Sequence, residues 1–520
     1  MTPTIRLIAL LVSVAAAQAA AQTSPIATWR ASHERQILDE LLRLVAIPNV
    51  AGRDAEMRRN ADHLAALFEK RGFTVERTDG AGSPVVFASL DVPSPRGTIV
   101  LYIHYDGQPV DPTEWTRCKP FAPCVYGPTG EVKIEPDTPI DPEWRVYGRS
   151  ASDDKGPIVA VLNAVEALRD TRTGPAWNLR VVLDGEEEAG SDNFRRFASA
   201  RAEALKGDLA ITLDGPRHPS GRATVYYGVR GGAGLTLTVY GARMDLHSGN
   251  YGNWAPDPSM RLARLLASMK DDTGRVTVAG FYDDVTPLTP TEVKAIDEMP
   301  NVEAALKKDF LVAQPERPEQ RLERKLNEPT LSVLTMEAGG GFGAAPRSAI
   351  PAKAAARIEM RLVHGLDPAR MNRRVVDHIK AQGYFVVEGR APTNDERLTH
   401  PLLARVDLRG GSSAPRVSMD DAMARAVVSA LTRGGRELVR LPTLGGSMPF
   451  ATFSDRMPTV GFSMVNHDNN QHGPDENLRL RNLWEGIEMM ARHHDDEPVI
   501  SEVLSPTARN DYTSACGAAQ

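Results

Sequence analysis

Cysteine is scarce in this chain: only three occur in 520 residues, Cys118, Cys124 and Cys516. Scattered in this way they exclude a zinc site built from cysteines. Long basic runs are missing too, and the formal net charge is −6, which removes any reason to expect a nucleic-acid partner. Past the N-terminus, no segment reaches the roughly 18 uncharged apolar residues of a membrane span. The compositional mark of disorder is also absent, since 42% of residues are hydrophobic and 25% charged. What remains is a chain long enough for two or three domains with an ample core.

The first residues stand apart. "MTPTIRLIALLVSVAAAQAAAQ" has one arginine, then an apolar segment, then small residues, the layout of a secretory signal peptide cleaved after Ala21. The alternative is an uncleaved N-terminal anchor. Export to a bacterial periplasm or beyond follows from the first reading. In that oxidising setting Cys118 and Cys124, six positions apart, suit a local disulfide, or else two buried thiols.

Helical spacing marks "HERQILDELLRLVAIP" and "DAEMRRNADHLAALFEKRGF". Apolar runs bounded by turn residues follow: "VVFASL", "TIVLYIHYDG", "NLRVVLDG", "DLAITLDG" and, much later, "TVGFSMVNH". Helical patterns such as "GPIVAVLNAVEALRD" separate several of them, which predicts an α/β domain with a largely parallel sheet. In the middle, "ATVYYGVRGGAGLTLTVYG" and "AAARIEMRLVHG" alternate as one-face-buried strands do, and "PARMNRRVVDHIKAQG" is helical. These predict a smaller α+β unit with an antiparallel sheet. The expected organisation is a signal peptide over 1–21, a discontinuous α/β domain over 22–216 and 413–500, an inserted α+β domain over 217–412, and a tail over 501–520.

Four predicted strands end in ligand-type residues. His104 and Asp106 close one, Glu186, Glu187 and Glu188 follow another, Asp214 a third, and His467 and His472 the fourth. Ligands of open α/β sheets bind at the carboxyl ends of strands. Adjacent glutamates repel and are costly to bury, so a solvated loop or a bound cation must explain "LDGEEEAGS". Asp153 and Asp154, in "GRSASDDKGP", stand at the predicted start of a helix, where an aspartate often serves only as a cap. His104 and Asp106, two apart on a strand, share a face. A carboxylate there either orients a metal-ligating imidazole or satisfies a core histidine.

In order, "HYDGQPV", "GRSASDDKGP", "GEEEAGS", "TLDG", "DLHSG" and "NNQHGPDENL" resemble the signature set of the co-catalytic zinc metallopeptidases, the family of carnosinase-type dipeptidases, carboxypeptidase G and succinyl-diaminopimelate desuccinylase. The resemblance spans about residues 30 to 495. It implies two divalent metal ions, zinc foremost, with manganese or cobalt as substitutes. Asp153 would bridge them, His104 and Asp214 would complete one site, and Glu188 and His472 the other. Three carboxylates offset most of the charge of two such ions. His472 is preferred over His467 because Glu476 follows it at the family spacing. Glu187 would be the general base, Asp106 would orient His104, and Glu186 would point to solvent.

The same resemblance gives His247, in "DLHSG", the task of reaching the partner subunit's active site in a homodimer and stabilising the oxyanion there. A surface histidine in a turn is the plain alternative. Arg347 matches an arginine that binds a substrate carboxylate, and Gly446 and Ser447, in "LGGSMPF", resemble contacts to the same end of the substrate. One departure is Ser150, where many relatives carry glycine. The expected activity is cleavage of dipeptides or short peptides by a secreted hydrolase, with no membrane attachment once the signal is removed. Asp214 leans toward dipeptidases or aminopeptidases, since deacylases and carboxypeptidases tend to have glutamate there. The alternatives are an N-acyl-amino-acid deacylase with the same metals, or a non-catalytic metal- or peptide-binding protein. The pairing of Glu187 with a ligand glutamate speaks against mere binding.

Overall fold

A computed structural model describes residues 24–78, 82–339, 347–432 and 435–491. The expected signal peptide (1–21) and the tail (501–520) lie outside the described residues. Among the described residues no helix is long and apolar enough to cross a membrane.

The first strands in chain order are β1 (Thr74–Arg77), β2 (Val86–Leu90), β3 (Thr98–His104), β4 (Cys124–Gly127), β5 (Gly130–Glu131), β6 (Arg145–Tyr147) and β7 (Asn178–Asp184). Then come β8 (Leu209–Thr212), β9 (Ala223–Tyr226), β10 (Gly231–Tyr240), β11 (Leu246–His247), β12 (Thr330–Ala338) and β13 (Ala349–Ile350). The last are β14 (Lys353–Leu362), β15 (Phe385–Glu388), β16 (Leu403–Ser412), β17 (Leu438–Leu441), β18 (Thr459–Ser463) and β19 (Asn477–Arg479). The principal helices are α1 (Pro25–Val45), α2 (Asp54–Lys70), α3 (Lys155–Asp170), α4 (Pro258–Ala267), α5 (Pro368–Ala381), α6 (Ala422–Thr432) and α7 (Leu480–Met490).

The fold is mixed α/β with a large eight-stranded sheet, ordered β1-β2-β7-β3-β8-β18-β9-β17. Its centre is parallel, β3 with β8 and β8 with β18, as apolar runs without alternation predict. Antiparallel pairs β1–β2, β2–β7 and β18–β9 make the sheet as a whole mixed. The stretch read as one alternating strand from Ala223 is two. Ala223–Tyr226 is buried on both faces and belongs to the large sheet, and only Gly231–Tyr240 alternates. The expected insert boundary at 217 therefore falls before a strand of the large sheet.

The described residues form two compact units. In the first, α3 is buried on nearly all sides, and α1 and α7 pack against it. Its apolar continuity, Ile158 to Val161 and on to Leu168, is what a helix enclosed by other elements requires. A four-stranded sheet, β19-β6-β4-β5, lies in the same unit. A disulfide joins Cys118 to Cys124, with Cα atoms 6.1 Å apart.

The second unit contains the five-stranded sheet β12-β14-β10-β16-β15, antiparallel except at β15–β16. One face of it carries α4 and α5, whose Leu262, Leu265, Val375, Val376 and Ile379 meet Leu235, Leu237, Ile358 and Met360 of the strands. A buried pair braces the loop after β8: His218 Nε2 lies 3.0 Å from Glu323 Oε1, and Arg321 Nε donates to Glu323 Oε2 at 2.6 Å. Burial alone would raise the Glu323 carboxyl, but the hydrogen bonds from His218 and Arg321 outweigh it and hold the pKa at about 2. A depressed carboxyl stabilises the fold above its unfolded value, near 4.5, and loses that contribution as pH falls toward 2. The denaturation midpoints of wild type and Glu323→Gln should thus differ at neutral pH and converge between 4.5 and about 2. A gap unchanged by acid would show that the pair contributes no pH-dependent stability.

Candidate metal centre

β3 delivers His104 to its carboxyl end, where the side chain is 1% exposed. His104 Nε2 lies 2.9 Å from Asp153 Oδ1, and Nδ1 lies 3.3 Å from Asp106 Oδ1, on the opposite side of the ring. Burial works against charging this histidine, but Asp106 and Asp153 overcome it and push its pKa well up. Asp153 sits just before α3. Its neighbour Asp154 occupies the N-cap position of that helix without a side-chain capping hydrogen bond, so plain capping does not explain the aspartate pair. Asp153 is pulled the other way from burial by His104 and His472, which hold its carboxyl well below the ordinary range.

Glu187 and Glu188 follow β7 in a single 3₁₀ turn, Glu187–Ala189. Asp106 grips that turn: its Oδ1 accepts from the Glu187 N–H at 3.1 Å and its Oδ2 from the Glu188 N–H at 3.0 Å. Asp106 therefore orients both the histidine and the glutamates. Glu188 Oε2 lies 3.4 Å from His472 Nε2, and His472 Nε2 lies 3.2 Å from Asp153 Oδ2. Asp153, Glu188 and His472 thus form one donor trio, with ligand atoms within 4.8 Å of one another. His104, Asp153 and Asp214 form a second, so Asp153 belongs to both. The position of Asp214 follows from strand register. Tyr102 of β3 faces Thr212 of β8 in parallel, and His104 and Asp214 each lie two residues beyond that pair.

This donor set suits a borderline divalent cation, which takes imidazole nitrogen and carboxylate oxygen together. Burial first, and next the Asp153 carboxylate, push Glu188 up to about 7. A cation between the Asp153 and Glu188 oxygens would relieve both costs.

Glu186 departs from expectation. It does not point to solvent; it is half-buried, and its Oε1 accepts from the Ser83 N–H at 2.8 Å. The histidine of the trio is His472, while His467 joins neither trio among the described residues. In the second unit, His247 is exposed and its Nδ1 accepts from the Gly249 N–H at 3.1 Å. Arg347 is 65% exposed, with a guanidinium nitrogen 3.6 Å from Asp245. The Gly446 carbonyl accepts from the Arg230 N–H at 2.9 Å, and Ser447 Oγ accepts from Arg361 at 3.0 Å.

Several contributors escaped the sequence reading or, like Glu476, entered it only as a spacing mark for His472. Gln108 donates to Glu188 Oε2 at 2.6 Å, and Gln471 donates to Asp153 Oδ2 at 3.3 Å. Glu476, fully buried, accepts from Arg149, from the N–H groups of Ser150, Ser152 and Asp153, and from the Ser152 hydroxyl. All of these residues lie inside the quoted motifs, so proximity to the ligands was the available signal. Ser150 itself has φ of 62°, a left-handed backbone that favours glycine. Its Oγ accepts from Asn49 Nδ2 at 2.8 Å, which helps hold the residue there.

The pattern of Peptidase family M20/M25/M40 matches residues 100–495. The chain belongs to this family. It is therefore an enzyme of the metallopeptidase class, and its peptidase relatives include dipeptidases. It is 27% identical to the Cys-Gly metallodipeptidase dug1 of Schizosaccharomyces pombe over 364 residues, covering 66% of this chain and 72% of that one. It is 28% identical to the Beta-Ala-His dipeptidase of Homo sapiens over 339 residues, 62% of each chain. The match thus spans under two thirds of the human relative's length. Among solved structures, the M20 family metallo-carboxypeptidase Sso-CP2 from Sulfolobus solfataricus superposes with a TM-score of 0.70 at 27% identity, covering 88% of this chain and 97% of that one.

Proposed function

We propose that this chain is an exported dipeptidase that cleaves the peptide bond of dipeptides or short peptides at a two-metal centre. The observation that carries the reading is the Asp153–Glu188–His472 trio with Glu187 beside it, on a turn pinned by Asp106. His104, Asp153 and Asp214 would hold one divalent ion and Asp153, Glu188 and His472 the other, zinc being the first choice for these donors. Divalent ions held by these residues would supply Lewis acidity toward a scissile carbonyl and would lower the pKa of a water. Glu187 takes the proton from that water and delivers it to the leaving amine. Asp106 keeps Glu187 in place through its N–H and steadies His104 through the ring. Arg347, Gly446 and Ser447 would receive the substrate carboxylate. His247 would stabilise the oxyanion from the partner subunit of a homodimer, the insert over 217–412 forming the contact. The two dipeptidase relatives and the aspartate at 214 support a dipeptide over an N-acylated amino acid.

Metal analysis joined to a substrate panel tests this. The mature protein should contain about two divalent ions per chain, as a site of this class holds. A chelator should abolish hydrolysis, and Zn²⁺, Mn²⁺ or Co²⁺ should restore it. Dipeptides should be cleaved well ahead of N-acetyl amino acids. Full activity in metal-free protein would refute the mechanism, and preference for the N-acetyl compounds would make the enzyme a deacylase.

A further inference from the structure

His472 is the exposed member of its trio, with a side chain 54% accessible. Its backbone is left-handed, φ 63°, as are those of Asn470 at 57° and Asp475 at 56°. A turn with so many non-glycine residues at positive φ persists only where its surroundings hold it. Two carboxylates do so. On the inner side Glu476 is buried against the loop that carries Asp153. On the outer side Asp475 Oδ1 accepts from the N–H groups of Thr116 and Arg117, each at 3.0 Å, and the Thr116 hydroxyl donates to Oδ2.

Thr116 and Arg117 lead directly into Cys118. The disulfide ties Cys118 to Cys124, the first residue of β4, which pairs with Tyr147 of β6. The Arg117 guanidinium also lies over the rings of Tyr126 and Tyr147, at 4.8 and 5.3 Å. A continuous set of contacts therefore runs from the β4–β6 pair through the disulfide loop to Asp475, three residues from His472.

We propose that Asp475 is a positioning residue for His472, and that the Cys118–Cys124 loop sets how tightly the Asp153–Glu188–His472 trio holds its ion. A ligand fixed before binding loses less freedom when the ion arrives. The His104–Asp153–Asp214 trio makes no use of this clamp, so the effect is confined to one of the two ions. The proposal rests on the two-metal reading above.

The test is chelator-competition titration of the full mature chain, comparing wild type, Asp475→Ala, the double variant Cys118→Ser/Cys124→Ser, and Asp111→Ala. Asp111 is a control: among the described residues its carboxylate accepts from the N–H and hydroxyl of Thr113 in the same loop. Removing an outer contact of a metal ligand typically weakens binding about 10-fold or more. Asp475→Ala and the double serine variant should lose about that factor for one ion and under about threefold for the other. The rate at saturating metal should return close to wild type, with only the metal concentration for half-activity raised. The Asp111→Ala protein should behave as wild type. Equal weakening of both ions, or no weakening of either, overturns the proposal. If Asp475→Ala does not fold, the serine variant and wild type treated with a phosphine reductant decide the matter by the same two outcomes. A wild-type chain that fails to bind two ions overturns the two-metal reading instead, and is recognised before any variant is compared.

Discussion

Glu187→Gln should lower kcat by roughly 10²-fold or more, the usual scale of a general acid–base contribution, while both metal ions and substrate still bind. The change is nearly isosteric, and the turn is held through the Glu187 N–H, which the substitution leaves in place. Only the ability to take a proton is lost. Glu188→Gln should fail differently. Its Oε2 faces His472 and the Gln108 amide, and loss of its charge should empty the ion held by Asp153 and His472 before it affects the other. Glu186→Gln should leave turnover unchanged, because a glutamine oxygen still accepts from Ser83 N–H. Its effect belongs to stability, about 1 kcal/mol for weakening one hydrogen bond to a charged group. Metal titration and turnover of the three variants, measured side by side, separate these outcomes. An inactive, metal-replete Glu186→Gln with a metal-deficient Glu187→Gln would shift the assignment by one residue. Wild-type turnover in all three would remove the reading of a hydrolase of this type, with Glu187 as base and Glu188 as metal ligand.

Much of this was legible because chemistry here is concentrated where strands end. His104 and Asp214 follow apolar runs whose bounds in the chain nearly match β3 and β8, so parallel register alone brings them side by side. The large sheet was legible as a set of strands but not as a pairing pattern. An antiparallel pair inside the sheet such as β2–β7 carries no sequence mark that separates it from a parallel one. β9 was hidden for a related reason. Ala223–Tyr226 joins a longer alternating stretch without a proline or polar cluster to mark the break, and only its pairing with β17 and β18 shows which sheet it serves. Glu186 misled because a run of acids reads as solvated. Its partner is a backbone N–H from Ser83, about a hundred positions away, and a main-chain donor leaves no trace in side-chain patterns. The same holds for Glu476, whose partners include the N–H groups of Ser150, Ser152 and Asp153.

Glu476 should prove the most expensive single position in the first unit to alter. Its side chain has no exposure, and Arg149 is only 3% exposed. Burial raises the Glu476 carboxyl above its ordinary range, with the Arg149 charge acting against that rise. Glu476→Ala leaves the guanidinium without its carboxylate and strips the acceptor from the main-chain donors that lead into Asp153. Breaking a buried pair by removing one partner typically costs about 3–5 kcal/mol. Glu476→Gln keeps one acceptor oxygen and should cost less. The double variant Glu476→Gln/Arg149→Met should cost less than the sum of the two single changes, because it removes the uncompensated charge together with its partner. Urea unfolding of the metal-free protein measures these differences without contribution from bound ions. Metal binding should weaken in parallel, since the Asp153 N–H loses the acceptor that fixes its loop. A loss under about 1 kcal/mol for Glu476→Ala would mean that water replaces the carboxylate, and that the loop carrying Asp153 is held by the rest of α3 rather than by this residue.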